Sequence, residues 1–193
     1  AAVGAQAILT YDDTLQTPRD MADVPVAVQE YTGSHFTTLQ MLESAVGREH
    51  VKICQGRLPQ MRYAGLKSGE YRAVAVMEPF ISLGLKEGVH IVAASFYRGG
   101  EVVGPNLTAE QRKAYYDAEN KAVDMINADF YKYAHYLTDR TKGALEPNEL
   151  LRAFVHYKHV DYYDEALFKQ TYDWMTEREF TEGQSQHGAI VFS

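Results

Sequence analysis

Val24-Pro25-Val26-Ala27-Val28-Gln29-Glu30-Tyr31-Thr32-Gly33-Ser34-His35-Phe36 holds a strand, a turn and the start of a helix in unbroken succession. Val24 to Val28 is a short run of β-branched and small apolar residues, as a strand requires. Pro25 fits an edge or the start of a ladder, where no N–H is owed to a neighbour. Gln29 to Gly33 is turn-like, and Ser34 is a good helix N-cap. Phe36, Leu39, Leu42 and Val46 then recur at helical spacing up to Gly47, a helix stop. Val51-Lys52-Ile53-Cys54 supplies the next strand, which completes a β-α-β unit.

The same rhythm continues downstream. Pro59 opens a helix carrying Met61, Tyr63, Ala64 and Leu66 and closing near Gly69. Tyr71 to Met77 reads as a strand apolar enough for burial on both faces. Pro79 starts a helix over Phe80 to Lys86, stopped by Gly88, and His90 to Ala94 gives one more strand. This alternation predicts an α/β protein with a mainly parallel sheet and crossover helices.

Beyond about residue 105 the pattern is helical. Thr108-Ala109-Glu110-Gln111 is a capping box. It opens a long helix expected to bury Tyr115, Ala118, Ala122, Met125 and Ile126. Further helices are expected at Phe130–Thr138, Pro147–Tyr157 and Asp164–Arg178. From Thr181 the chain reads as a loose tail, although Ala189-Ile190-Val191-Phe192 could pack or add a strand. The resulting division is a lead-in crossover segment over 1–23, an α/β lobe over 24–88, a return strand with C-terminal helices over 89–180, and a tail over 181–193.

Composition narrows the function classes. The 193 residues are 46% hydrophobic and 23% charged, an ordinary globular balance. The net charge is −7 and no dense basic run occurs, so nucleic-acid binding lacks its electrostatic basis. A single cysteine, Cys54, rules out an intrachain disulfide and a Cys-rich metal site. It reads as a buried, inert thiol. No apolar run approaches the roughly 20 residues of a membrane span. Tyrosines cluster between Tyr115 and Tyr172, expected to cover helix–helix seams with their hydroxyls wet.

The strongest candidate site is Thr32-Gly33-Ser34-His35. A turn feeding a helix N-terminus presents free N–H groups and the positive end of the dipole to an anion. Gly33 allows close approach, and Ser34 and His35 add polar groups. An ordinary N-cap would carry the same residues. Glu78, before Pro79, lies at a strand end, facing the crevice where open α/β sheets bind ligands. It could instead hold Arg98 or a hinge N–H. Tyr97-Arg98 could supply an aromatic wall and an anion clamp, or a solvated loop pair. Gln55 is a weaker candidate of the same kind. His156 and His159, if helical, share a face as a metal pair would, but no companion motif supports a metal. P-loop, G-x-G-x-x-G and G-x-S-x-G motifs are absent. No metal or cofactor is expected.

Residues 26–36 with Val51–Cys54, and Gly65-Leu66-Lys67-Ser68-Gly69-Glu70-Tyr71-Arg72-Ala73-Val74-Ala75-Val76-Met77-Glu78-Pro79-Phe80, resemble the second lobe of the type II periplasmic-binding fold. The nearest group is that of nitrate, sulfonate/taurine and thiamine-precursor binding proteins of ABC importers. Residues 116–127 and Thr171-Tyr172-Asp173-Trp174-Met175 are similar to that group's C-terminal helices. Tyr71-Arg72 departs from the family's acidic-then-small pair.

The resemblance implies a parallel-sheet lobe followed by the helical portion of the other lobe, with the N-terminal lobe segment missing. That segment would be a separate chain or a cleaved piece, and the Ala1 start, with neither Met nor signal peptide, agrees with either. It implies binding of a small anionic or amphipathic organic solute in a two-lobe cleft, in the periplasm or at the cell surface, with ABC importer membrane subunits as partners. The contacts implied are Thr32, Gly33, Ser34, His35, Gln55, Glu78, Tyr97 and Arg98. The same fold also carries enzymes, so a cytoplasmic desulfinase-like or other lyase or hydrolase activity stays open, as does a sensing or assembly subunit.

Overall fold

The computed structural model describes residues 2–161, 163–181 and 185–191. Its sheet has six strands, β1 (Ala2–Thr10), β2 (Pro25–Val28), β3 (Lys52–Gln55), β4 (Ala73–Val76), β5 (His90–Arg98) and β6 (Val155–Tyr157). The order is β3-β2-β4-β1-β5, with β6 beside the first residues of β1. β2 runs parallel to β3 and β4, and the crossovers are helices α1 (Gly33–Val46) and α2 (Pro59–Ser68). Helix α3 (Phe80–Lys86) connects β4 to β5. Pro25 begins its strand rather than edging the sheet, since β2 lies between β3 and β4.

The largest departure from expectation is β1. It lies in the middle of the sheet and runs antiparallel to β4, β5 and β6, so the sheet is parallel-rich but mixed. Ala5 to Thr10 are all at most 2% exposed. Burial on both faces leaves such a strand without polar alternation, and its alanines hide it further because they favour strands weakly. The strand from His90 also runs on to Arg98 and forms a long pair with β1.

Side chains alternate across the sheet, which gives two cores. Ile8, Val26, Val28, Ala73, Ala75 and Val92 meet Leu42 on the α1 face. Ala5, Ala7, Leu9, Val74 and Val76 meet Tyr63, Leu66, Phe80 and Ile81 on the other. Ala73 to Val76 are fully buried, as the expected two-sided burial required.

The helical part begins with α4 (Ala109–Ala128), whose Thr108 capping box is formed. Short helices α5 (Phe130–Tyr133) and α6 (His135–Thr138) follow. Phe130, Ala134, Leu145, Leu150 and Val155 join the core on the α2–α3 face. The helix expected over Pro147–Tyr157 does not form. Two 3-10 turns, Pro147–Glu149 and Arg152–Phe154, lead instead into β6, because pairing with Ala2–Gly4 outweighs local helix preference. Helix α7 (Glu165–Thr176) sends its C-terminal end back onto α1. Arg178 there forms a bidentate pair with Glu43 and lies 4.3 Å above the Trp174 ring. In the tail, His187–Ile190 forms a short helix α8 rather than a strand, and Phe192 lies outside the described residues.

Candidate functional site

The first turn of α1 fastens its own entrance loop. The Thr32 hydroxyl donates to the Gln29 carbonyl at 2.7 Å, and the Gln29 N–H donates to Ser34 Oγ at 3.0 Å. The Tyr31 N–H donates to His35 Nδ1 at 3.1 Å. Tyr31 reaches that geometry at φ +58, in the left-handed region. Ser34 and His35 are therefore buried and turned inward, at 3% and 6% exposure. The His35 ring stacks on Phe36 and meets Tyr31 and Phe180 edge-on. Burial pushes its pKa below the usual histidine range, with Glu30 pulling weakly the other way. A neutral ring is also what an Nδ1 acceptor requires.

What this turn offers outward is backbone. The N–H groups of His35 and Phe36 are taken by the Thr32 carbonyl. Those of Gly33 and Ser34 have no partner among the described residues, and the helix dipole adds its positive end. Tyr97 closes the side facing the sheet. A Cβ built on Gly33 would lie 3.9 Å from its ring, and one on Gly4 would lie 3.3 Å from it. Glycine at position 4 leaves the tyrosine room that a Cβ would crowd, whereas at Gly33 a Cβ would make only ordinary contact with the ring. Burial raises the Tyr97 pKa, opposed by a hydrogen bond from Gln6.

Thr32, Gly33, Ser34, His35 and Tyr97 thus come together. Tyr97 is part of β5 rather than of a loop beyond it, and the alternation of the strand sends Arg98 to the opposite face. Arg98 makes no pair with Glu78. Gln55 ends β3 at the sheet edge, where its Oε1 accepts from the Arg57 N–H at 3.3 Å. Glu78 is buried and caps its own helix. Its carboxylate accepts from the Ser82 N–H at 3.1 Å and the Ser82 hydroxyl at 2.7 Å, while burial raises its pKa. The Ser82 oxygen in turn accepts from the Leu151 N–H at 2.9 Å, tying the helical part to the sheet. The Glu78–Pro79 peptide bond is cis.

Three relevant residues escaped the sequence reading. Gln6 and Ser95 lie opposite each other in the β1–β5 ladder. Gln6 went unnoticed with its strand, and a lone serine in a strand carries no signal. Arg62 is buried, with Nε donating to the Ala75 carbonyl at 2.8 Å and Nη1 donating to the Arg57 carbonyl. Burial pulls its pKa down to about 10.

His156 lies in β6 and contacts the Ala153 carbonyl, whereas His159 pairs with Asp124, so the two share no helix face. No cluster of metal-ligating side chains occurs among the described residues. Cys54 is half-buried, and burial raises its pKa. Most of the α4 stripe expected inside is outside: Ala122 and Met125 line an open groove of about 390 Å³ with Phe130, Tyr133 and Tyr157, while Ile126, at the groove's edge, is half-buried against the core. Val123, one position round the helix, takes the buried place. Among the described residues no helix is long and apolar enough to cross a membrane.

Strands β2 to β5 running the same way, the antiparallel β1 inserted between β4 and β5, and a helix N-terminus at the end of β2 define the type II periplasmic-binding fold. Solved structures agree. The periplasmic aliphatic sulphonate binding protein SsuA from Escherichia coli is 17% identical with a TM-score of 0.72, over 100% of this chain and 69% of its own. The alkanesulfonate-binding protein SsuA from Xanthomonas axonopodis pv. citri, bound to MOPS, is 17% identical with a TM-score of 0.76, over 97% of this chain and 71% of its own. The putative sulfonate-binding SsuA from Methylobacillus flagellatus KT is 12% identical with a TM-score of 0.62, over 98% and 64%. No protein-family model and no curated protein sequence matches the chain.

Proposed function

We propose that this chain binds a small anionic organic solute at the N-terminus of α1, against Tyr97, in the manner of the substrate-binding component of an ABC importer. The observation that carries this reading is the pair of unpartnered N–H groups at Gly33 and Ser34, set beside an aromatic wall on the long β1–β5 strand pair. Backbone donors at a helix end recognise an anion without a side-chain charge, which suits a chain of net charge −7. The sulfonate ligands named for the neighbouring structures are of that class.

The first contacts are Gly33, Ser34 through its N–H, and Tyr97. The side chains of Thr32 and His35 hold the loop. Gln55 and Arg98 are given no direct contact in this reading, and Glu78 acts as a hinge anchor. An N-terminal lobe, as a preceding segment or a separate chain, would close over this surface. The exposed α4–α6 groove, with Met125 and Tyr136 at 46% and 70% exposure, supports such a covering partner. Closure would follow from contacts made only in the closed form. Periplasmic location and importer membrane subunits belong to the same reading, which needs no catalyst.

Gly33→Ala is the sharpest test. The methyl fits at 3.9 Å from Tyr97, so folding is unaffected, but it stands where the ligand oxygen must approach. Calorimetric titration with propanesulfonate should show binding that falls at least tenfold in Gly33→Ala, with Tm unchanged. Unchanged affinity would overturn this site.

A further inference from the structure

The β1–β5 ladder contains two buried polar atoms with no partner among the described residues, Gln6 Oε1 and Ser95 Oγ. The cost is real, because a buried amide or hydroxyl left without a hydrogen bond keeps its full desolvation penalty. Leucine or methionine at position 6 would avoid it. Gln6 is 1% exposed, so its amide cannot turn to bulk water.

Their positions make the pair more than a local defect. Gln6 and Ser95 are direct ladder partners. Ile8, two residues along β1, belongs to the core beneath α1, so Gln6 projects on that same face. Tyr97, two residues along β5 from Ser95 and opposite Gly4, stands on that face diagonally beside Gln6, and its ring lies against the Gly33 position. The two unpartnered atoms are therefore continuous with the unpartnered N–H groups of α1, through one tyrosine. A group placed between Gln6 and Ser95 must accept from the Ser95 hydroxyl and donate to Gln6 Oε1. A hydroxyl does both. It also satisfies the amide if its oxygen and nitrogen are exchanged.

We infer that Gln6 and Ser95 form a specificity seat for a hydroxyl group carried by the bound anion, so that the preferred solute is a hydroxylated organic anion rather than a plain alkyl one. This rests on the anion site proposed above. A water molecule offers the same chemistry as the ligand hydroxyl, and the test separates the two sources.

The experiment titrates the intact chain by calorimetry with two anions of equal length, 2-hydroxyethanesulfonate and propanesulfonate. The hydroxylated anion should bind about tenfold or more tightly, as sites built to hydrogen-bond a hydroxyl discriminate strongly against its absence. Gln6→Met with Ser95→Ala should bring the two affinities within about twofold of each other, with propanesulfonate affinity retained. Ser95→Ala alone, a small change in a surface-reaching strand, should lower the ratio by itself and keeps the test open if Gln6→Met fails to fold. Equal affinities in the unaltered chain, or a preference that survives both substitutions, overturn the seat and leave the anion site standing. A raised Tm in Gln6→Met with the ratio unmoved identifies the occupant as water and equally overturns it. Heat from neither sulfonate overturns the anion site, and the seat falls with it.

Discussion

Helices α1 and α4 both carry an apolar stripe at helical spacing, yet one is covered and the other is not. In α1, Leu42 packs into the sheet core and Leu39 is buried, and Phe36 is held from outside by Trp174 and Phe180. In α4, Val123 alone is fully buried, Ile126 is half-buried against the core, and Ala122 and Met125 face the open groove. Periodicity reports that a helix has an apolar side, not that this chain supplies the partner. The difference is therefore one of coverage: α1 is packed within this chain, whereas the α4 groove is open.

Substitutions along the two stripes test this in order of effect. Leu42→Ala, at a fully buried position, should cost about 3 kcal/mol in chemical denaturation, because a cavity opens between α1 and β2. A cost below about 1 kcal/mol would mean that α1 is not packed as described. Arg178→Ala should cost about 2 kcal/mol, since Glu43 would keep a mostly buried charge without its bidentate partner. Arg178→Met combined with Glu43→Leu should recover most of that loss. Met125→Ala should lie within about 0.5 kcal/mol of the unaltered chain, as exposed substitutions do. The same substitution should become costly once a chain covering the groove is supplied, which co-purification followed by denaturation would reveal.

The pH dependence sharpens the same contrast at the site end of α1. His35 has a pKa lowered by burial, so the unfolded chain takes up a proton that the folded chain refuses. Its contribution is fully present above the ordinary value of 6.5 and is lost as pH falls from there through the folded value. Protonation also removes the acceptor of the Tyr31 N–H, so anion affinity should fall over the same window despite the added positive charge. His35→Asn, whose oxygen can still accept from Tyr31, should flatten both profiles. A stability curve that rises between pH 7 and 5 would contradict the buried, neutral ring.

Most elements from residue 24 to residue 94 were legible in the sequence because local signals agreed there. Gly47, Gly69 and Gly88 end helices, Pro25, Pro59 and Pro79 begin elements, and short apolar runs lie between. β1 was not legible. Its neighbours in the sheet come from residues 73–76, 90–98 and 155–157, and its alternation is erased by burial on both faces. The same long-range pairing turned an expected helix over Pro147–Tyr157 into turns and β6. At the site, the sequence named the α1 turn and Tyr97. What it could not show is orientation: the Ser34 and His35 side chains accept from the loop N–H groups of Gln29 and Tyr31. Arg98 was separated from Tyr97 by strand alternation alone, once β5 proved long enough to include both.

The most direct test of the anion site is propanesulfonate titration of the unaltered chain beside Gly33→Ala, with Tm recorded for both. The geometry predicts saturable binding in the first, at least a tenfold loss in the second and equal stability. Equal affinity in the two proteins, with both folded, would contradict the assignment of the α1 N-terminus as the place where the solute is held.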